Sequence, residues 1–278
     1  MTIRLSQQDS DVVITSKEQL SQLKDNLFVG EAPELINSTI TFTGTNNILA
    51  CEKGVTLQDT RIHFNANHSV IYLSASHAPY IAKIVTHNNS TCYIGQNNYI
   101  NDTLTLILSE GKNIMIGSEC CISLGIWMRN ADPHLVFSAE SHNRINPSRS
   151  IYIGDHVWLG QSSMILKGSI IHSGSIVGAM SLVAGKEIAS NSCWGGNPAA
   201  KIKEQIFWSG ECVHSWTEET THYYATCEHD HYIFANCGQV ININELEQRL
   251  QHAKTAADRF NVLLNTVLKN NNKNRFYG

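Results

Sequence analysis

From Ile153 onward an aliphatic residue returns every six positions, at Ile153, Leu159, Ile165, Ile171, Val177 and Val183. A second apolar register runs beside it through Trp158, Met164, Ile170, Ile176, Leu182 and Ile188. A third, four residues after each member of the first, is mostly small: Val157, Ser163, Ser169, Ser175 and Ser181, then Glu187. Glycine follows the aliphatic at Gly154, Gly160 and Gly178. A period of six matches neither the 3.6 of a helix nor the 2 of a long alternating strand. It matches a triangular solenoid with three short strands per coil. Each strand turns one aliphatic inward, and small residues or glycine make the corners. Upstream the repeat is interrupted: Ile94-Gly95 leads to Ile100 and Leu106, and Ile116-Gly117 leads to Ile122 and Met128. Residues 36–73 are looser, with Ile40, Phe42, Ile48, Val55, Leu57, Ile62, Phe64, Val70 and Tyr72 as the apolar positions. They predict irregular β-rich coils of the same solenoid.

The flanks carry helical patterns. Residues 16–28 predict a short N-terminal helix, with Ser16 and Gln19 as a capping box. Asn244 and Glu247 stand where a long helix over about 245–269 would be capped. Leu246, Leu250, Ala253, Ala257, Phe260, Leu264 and Val267 follow at alternating steps of four and three. That stripe suits packing on the solenoid first and zipping against other subunits second, and the pattern leaves both open. The tail 270–278 is expected to fray. The organisation expected is an N-terminal segment over 1–30, a solenoid over 31–207, and a C-terminal extension over 208–278.

The register breaks between Met128 and Ile153, a gap of 25 residues. One step of six would continue the coil, so about 19 residues leave it as a loop, within about 129–150. Long loops on rigid scaffolds concentrate function. This one contains Arg129-Asn-Ala-Asp132-Pro-His134 and Ser141-His142-Asn-Arg144-Ile-Asn-Pro147. A neutral imidazole, with an ordinary pKa near ~6.5, removes a hydroxyl proton at neutral pH. His134 is the candidate base, and Asp132 the candidate carboxylate to orient it. His142 is its competitor in the same loop. His156 and His172 fall at corner positions and are expected to be exposed. Arg129 and Arg144 are candidates for contact with an anionic sugar or phosphate, or equally for ion pairs that anchor the loop.

Composition narrows the function classes. With 42% apolar residues and a net charge of -4, the chain can bury a core. Lys and Arg number 20 against 24 Asp and Glu, which gives no basic excess for nucleic acid. No apolar run reaches the ~20 residues of a membrane span. Met1-Thr-Ile-Arg-Leu-Ser-Gln-Gln8 lacks the apolar stretch of a secretory signal. Eight cysteines scattered through a long chain suit reduced thiols and a cytoplasmic protein. The Cys/His-rich segment from Cys212 to Cys237 has no Cys-x-x-Cys pair, so no metal is expected there.

Ile151-Tyr-Ile-Gly-Asp-His-Val-Trp-Leu-Gly160, the coils after it, and Gly195-Gly-Asn-Pro-Ala-Ala-Lys201 resemble the hexapeptide-repeat acyltransferases. The likeness is strong over about 90–207 and looser over 31–89. It is nearest in character to the O-acetyltransferases of bacterial capsular polysaccharides and sialic acid. The resemblance implies a mainly β fold, a left-handed parallel β-helix, with the loop at its active site and a C-terminal α-helical extension. It implies an acetyl-CoA-dependent O-acetyltransferase, cytoplasmic and homotrimeric, acting on hydroxyls of a capsular or surface polysaccharide. His134, Asp132 and Trp158 then belong to the active site. Acetyl-CoA would lie between subunits, against positions that carry over to Gln161, Ala179, Ala184, Gly185, Lys186, Lys201 and Lys203. Two departures bear on the phosphate contacts. The step from Val183 to Ile188 is irregular, and Ala200 stands where a basic residue often follows Pro-Ala. Two other activities fit such a fold: an N-acetyltransferase acting on an amino-sugar nucleotide, and a metal-dependent carbonic anhydrase-like protein.

Overall fold

The computed structural model describes residues 11–278. The stretch Met1–Gln8 and the first part of the 1–30 segment lie outside the described residues. The chain winds into a solenoid of about seven coils with three faces. The first face stacks Thr39–Phe42, Arg61–Phe64, Ala82–Thr86, Leu104–Leu108, Trp127–Arg129, Met164–Leu166 and Leu182–Ala184, with Val12–Ile14 antiparallel at its start. The second runs from Leu27–Gly30 to Glu187–Ile188. The third runs from Tyr99–Ile100 to Ser192–Gly195 and ends on the antiparallel strand Ala200–Glu204. Every other pairing along these faces is parallel, as in the left-handed β-helices of hexapeptide-repeat enzymes.

Coil length explains why the repeat reads clearly only late in the chain. Tyr152 pairs with Ile170, so that coil takes 18 residues, three sixes. Cys92 pairs with Ile114 and Ile48 with Val70, coils of 22 residues with corners too long for the period to survive. Ile114 pairs with Ile151, a coil swollen to 37 by the loop. The last, Ile170 to Glu187, is one residue short of 18, which accounts for the irregular step after Val183. The inward row Ile153, Leu159, Ile165, Ile171, Val177 and Val183 is buried at 1% exposure or less. Burial of each such aliphatic contributes roughly 1.5–3 kcal/mol.

The small register sits at the corners. Ser169 Oγ donates to Leu166 O and Val183 O, and Ser175 Oγ to His172 O and Ala189 O, so each hydroxyl ties one coil to the next. In the longer early corners asparagine does this work. Buried Asn98 donates to Gly95 O and Gly117 O and accepts from the Cys120 N–H.

On the first face two outward rows run the length of the solenoid. One is Thr39, Arg61, Lys83, Thr105, Trp127, Met164 and Leu182. The other is Thr41, His63, Val85, Ile107, Arg129, Leu166 and Ala184. The second face differs: its outward side is apolar and covered. Ile48, Val70, Tyr93, Met115 and Tyr152 pack against Leu246, Leu250, Ala256, Leu263, Val267 and Phe276 of the C-terminal extension.

The flanks depart from expectation in three places. The helix expected over about 245–269 is two helices, Ile243–His252 and Ala256–Asn265. Thr255 accepts from the Asp258 N–H while the Asp258 carboxylate accepts from the Thr255 N–H, a capping box that starts a second helix. The tail over 270–278 does not fray. Arg275 is buried, and its guanidinium forks onto Asp155 at 2.8 Å through both Nε and Nη2. It also donates to the carbonyls of Val267 and Asn270 and to Ser118 Oγ. Burial works against its charge, but Asp155 outweighs burial and raises its pKa. Near the N-terminus, Lys17–Gln22 is a 3-10 turn, with the Gln19 carboxamide accepting from the N–H groups of Thr15 and Ser16. Leu27–Gly30 leaves the expected helix to pair with Ile48–Cys51 as a strand.

Removing one partner of a buried ion pair strands the other charge. Arg275→Leu should therefore lower unfolding stability by about 3–5 kcal/mol in urea titrations, and adding Asp155→Asn should recover part of that loss.

Candidate active site

The loop leaves the first face after Trp127–Arg129 and rejoins the second at Ile151–Ile153. It is an ordered hairpin. Ser138 N–H donates to Asn143 O, Ile145 N–H to Val136 O, and Phe137 faces Arg144 in an antiparallel bridge. Its base is tied to the preceding coil through Glu110. Arg144 donates to both Glu110 oxygens, at 2.7 and 2.8 Å, and Ser148 Oγ adds a third hydrogen bond. The Arg144 fork and then the Ser148 hydroxyl hold the Glu110 carboxyl down to about 2.

Within the loop Asn146 does most of the positioning. It is buried at 8% exposure. Its Nδ2 donates to His134 O at 2.8 Å and to Asp132 Oδ2 at 3.0 Å. Its Oδ1 accepts from the Val136 N–H at 2.9 Å. One carboxamide thus grips the backbone just after the His134 side chain and the Asp132 carboxylate just before it. That side chain is exposed, and no hydrogen bond to its ring occurs among the described residues.

Asp132 is not the partner of His134 in this chain. Its Oδ2 accepts from Lys167 Nζ at 2.5 Å, and Lys167 also reaches Asn146 O at 3.2 Å. Lys167, and after it Asn146, lower the Asp132 pKa. A cation within salt-bridge distance binds a carboxylate more strongly than a neutral imidazole does, so Asp132 fixes the loop instead of the base. Arg144 is likewise spent on Glu110 and presents no open fork to a sugar or phosphate. Arg129 is half-buried, with its guanidinium 5.8 Å from the Trp127 ring centroid and its Nε buried without a partner.

Trp158 lies on the third face and is 40% exposed, so it is no core residue. Its indole N–H reaches Ser123 Oγ at 3.4 Å. Beside it a groove of about 450 Å³ is lined by Asn101, Ser123, Gly160, Gln161, Gly178 and Ala179. Gly160 is required there, since a Cβ would stand 2.6 Å from the Ala179 nitrogen of the next coil. The groove therefore joins Trp158, Gln161 and Ala179. The other candidates are elsewhere. Ala184, Gly185 and Lys186 form the corner between the first and second faces. Lys201 and Lys203 stand exposed on the terminal antiparallel strand, where Lys201 pairs with Glu204. One chain does not bring His134 and Trp158 onto the same face.

His156 and His172, expected to be exposed, are buried at 4% and 6%. The C-terminal extension covers both. His156 stacks between Trp208, at 3.9 Å, and Tyr232, at 4.3 Å, and burial lowers its pKa. His172 faces two acceptors, the Phe276 carbonyl at Nδ1 and the Glu187 carboxylate at Nε2. Asn146, Lys167, Glu110 and Trp208, which sits 5.9 Å from Trp158, were not singled out in the sequence. Asn146-Pro147 inside the loop was the one available signal.

No family model matches the chain. A polysialic acid O-acetyltransferase of Neisseria meningitidis is 34% identical over 182 residues, 65% of this chain and 84% of that protein. Another, of Escherichia coli O1:K1 / APEC, is 39% identical over 126 residues, 45% of this chain and 40% of that protein, so this match spans less than half of the relative's length. The crystal structure of the polySia specific acetyltransferase NeuO gives a TM-score of 0.60 at 28% identity, covering 72% of this chain and 94% of that one. No helix among the described residues is long and apolar enough to cross a membrane. The chain belongs to the polysialic acid O-acetyltransferase family of hexapeptide-repeat acyltransferases and is an acetyltransferase enzyme.

Proposed function

We propose that the protein transfers an acetyl group from acetyl-CoA to a hydroxyl of an anionic, polysialic-type surface polysaccharide, with His134 as general base. One observation carries the reading. His134 presents an imidazole without a partner among the described residues, on a backbone that Asn146 grips at His134 O and Val136 N–H. A base must be free to accept a proton yet held in place, and this arrangement supplies both.

In the reaction His134 takes the proton of the acceptor hydroxyl as its oxygen attacks the thioester carbonyl. A C–O bond forms, and the C–S bond breaks as the oxyanion collapses. The proton on His134 then passes to the leaving thiolate. Backbone N–H groups at the coil edge are the natural donors to the oxyanion. The groove beside Trp158 is the seat of the pantetheine arm in this reading, walled by Ser123, Gln161, Gly178 and Ala179. Lys186, Lys201 and Lys203 are the cations for the donor phosphates. Arg129 is the residue left to meet an anionic acceptor. Acetyl-CoA is a metabolite of the cytoplasm, and eight free cysteines suit a reducing compartment, so the reading places the enzyme there.

The site is built between copies. His134 and Trp158 lie on different faces of one chain, so a shared site needs the loop of one copy against the groove of another. Surface chemistry supports this. The late part of the first face turns Trp127, Met164, Leu166 and Leu182 outward, and the loop exposes Leu135, Val136, Phe137 and Ile145. Unlike faces that meet head to tail close into a ring, and the three-faced prism suits three copies.

His134→Ala should lower kcat by about 10²–10⁴-fold while leaving the fold intact, followed by thiol release from acetyl-CoA with polysialic acid as acceptor. Near-full activity would remove His134 from the mechanism. Asn146→Ala should keep the imidazole but lose its placement, with kcat reduced about 10- to 100-fold and little change in the KM for acetyl-CoA. Sedimentation equilibrium should return the mass of three chains, and Phe137→Glu should shift it toward one; a monomeric wild-type protein would contradict the shared site.

A further inference from the structure

The first face changes character along the solenoid axis. Its late coils are apolar outside, as described, but its early coils are cationic. Arg61 pairs with Lys83 across adjacent coils, so the two cations stand one strand spacing apart, about 4.8 Å. Further along the same face Arg129 closes the series beside Trp127. Neither outward row contains an acidic residue. Lys83 has no acidic partner among the described residues. Arg61 donates to the carbonyls of Asn37 and Thr60, contacts that orient the guanidinium without neutralising it. In a chain with a net charge of -4, an acid-free face with three cations is a local departure.

We infer that this face is an extended binding track for the polymeric acceptor, an anionic glycan with a carboxylate on each sugar, running from Arg61 and Lys83 to Arg129. The inference rests on the proposed acceptor class and adds where the polymer lies. Charge complementarity selects the occupant: carboxylates along the polymer meet cations that coil stacking sets on one face, Arg61 beside Lys83 and Arg129 two coils on. Direction supports it as well. Arg129 is the last residue of the strand from which the loop departs, and His134 follows five residues later. A polymer laid along the early coils is thereby led to the loop that carries the base. Each added cation contact also releases counterions, so affinity along such a track falls steeply with salt. The cavity of about 340 Å³ under the C-terminal extension does not compete for this ligand. There Glu52, Glu119 and Asp155 offset Lys273 and Arg275.

Binding of polysialic acid to the full-length chain, measured by titration calorimetry without acetyl-CoA at two salt concentrations, tests the track. Arg61→Gln/Lys83→Gln should weaken binding about tenfold and flatten its salt dependence. Lys53→Gln/Lys254→Gln, on exposed residues outside this face, should bind like the wild type. Thermal melts by circular dichroism establish that both variants are folded. A double variant at Arg61 and Lys83 that binds as tightly as the wild type would overturn the track, as would a wild-type protein that binds no polymer. A protein that binds the polymer through Arg61 and Lys83 yet transfers no acetyl group would end the proposed reaction and leave the track standing.

Discussion

Every coil of this solenoid satisfies its backbone by handing hydrogen bonds to the coil above and the coil below. Almost everything else follows from that stacking. Strands are two to five residues long, too short to stand alone, and they persist because those inside the stack are paired on both edges. Corners are the weak points of such a design, since a turning chain exposes N–H and C=O groups that no strand can pair. Ser169 and Ser175 meet this need in the short corners, and Asn98 in the longer ones. The surplus of 26 Asn and 29 Ile, and the charged fraction of 16%, are therefore consequences of the architecture. Isoleucine fills the inward row, asparagine serves the corners, and flat stacked faces leave few places for charge.

Stacking also divides the surface into three faces with separate fates. The second face is apolar outside and is sealed by the two C-terminal helices and the Arg275–Asp155 pair. Glu247 adds a tie across that seam, accepting from Tyr152 Oη, Asn113 Nδ2 and Lys112 Nζ. With one face closed, function is confined to the other two and to the corner between the first and second, where the loop leaves. The cations on the early first face stand outside the surface that the extension covers, and at the groove the extension reaches the edge, where Trp208 lies 5.9 Å from Trp158.

The loop shows how a flexible-looking insertion becomes a rigid platform. Glu110 holds its base through Arg144 and Ser148, Lys167 holds Asp132, and Asn146 links the two sides. Six side chains are spent so that one imidazole remains free. The acidic and basic residues nearest to His134 therefore serve its backbone and leave its ring without a charge partner.

The sequence by itself determined the period of six, and with it the inward row, the small corners, the place of the loop and His134 within it. Those signals are local: each coil repeats the same chemistry at nearly the same spacing. It also carried the acetyltransferase likeness, in Ile151–Gly160 and Gly195–Lys201. The early coils were blurred because 22-residue turns break the period. Partners distant in sequence were decided by the tertiary structure alone. Lys167 takes Asp132 across 35 residues, Arg275 reaches Asp155 across 120, and the extension buries His156 and His172 that corner positions alone would leave in water. The alignment of Arg61, Lys83 and Arg129 on one face is of the same kind. Their spacing in sequence is irregular, and only coil stacking places them together.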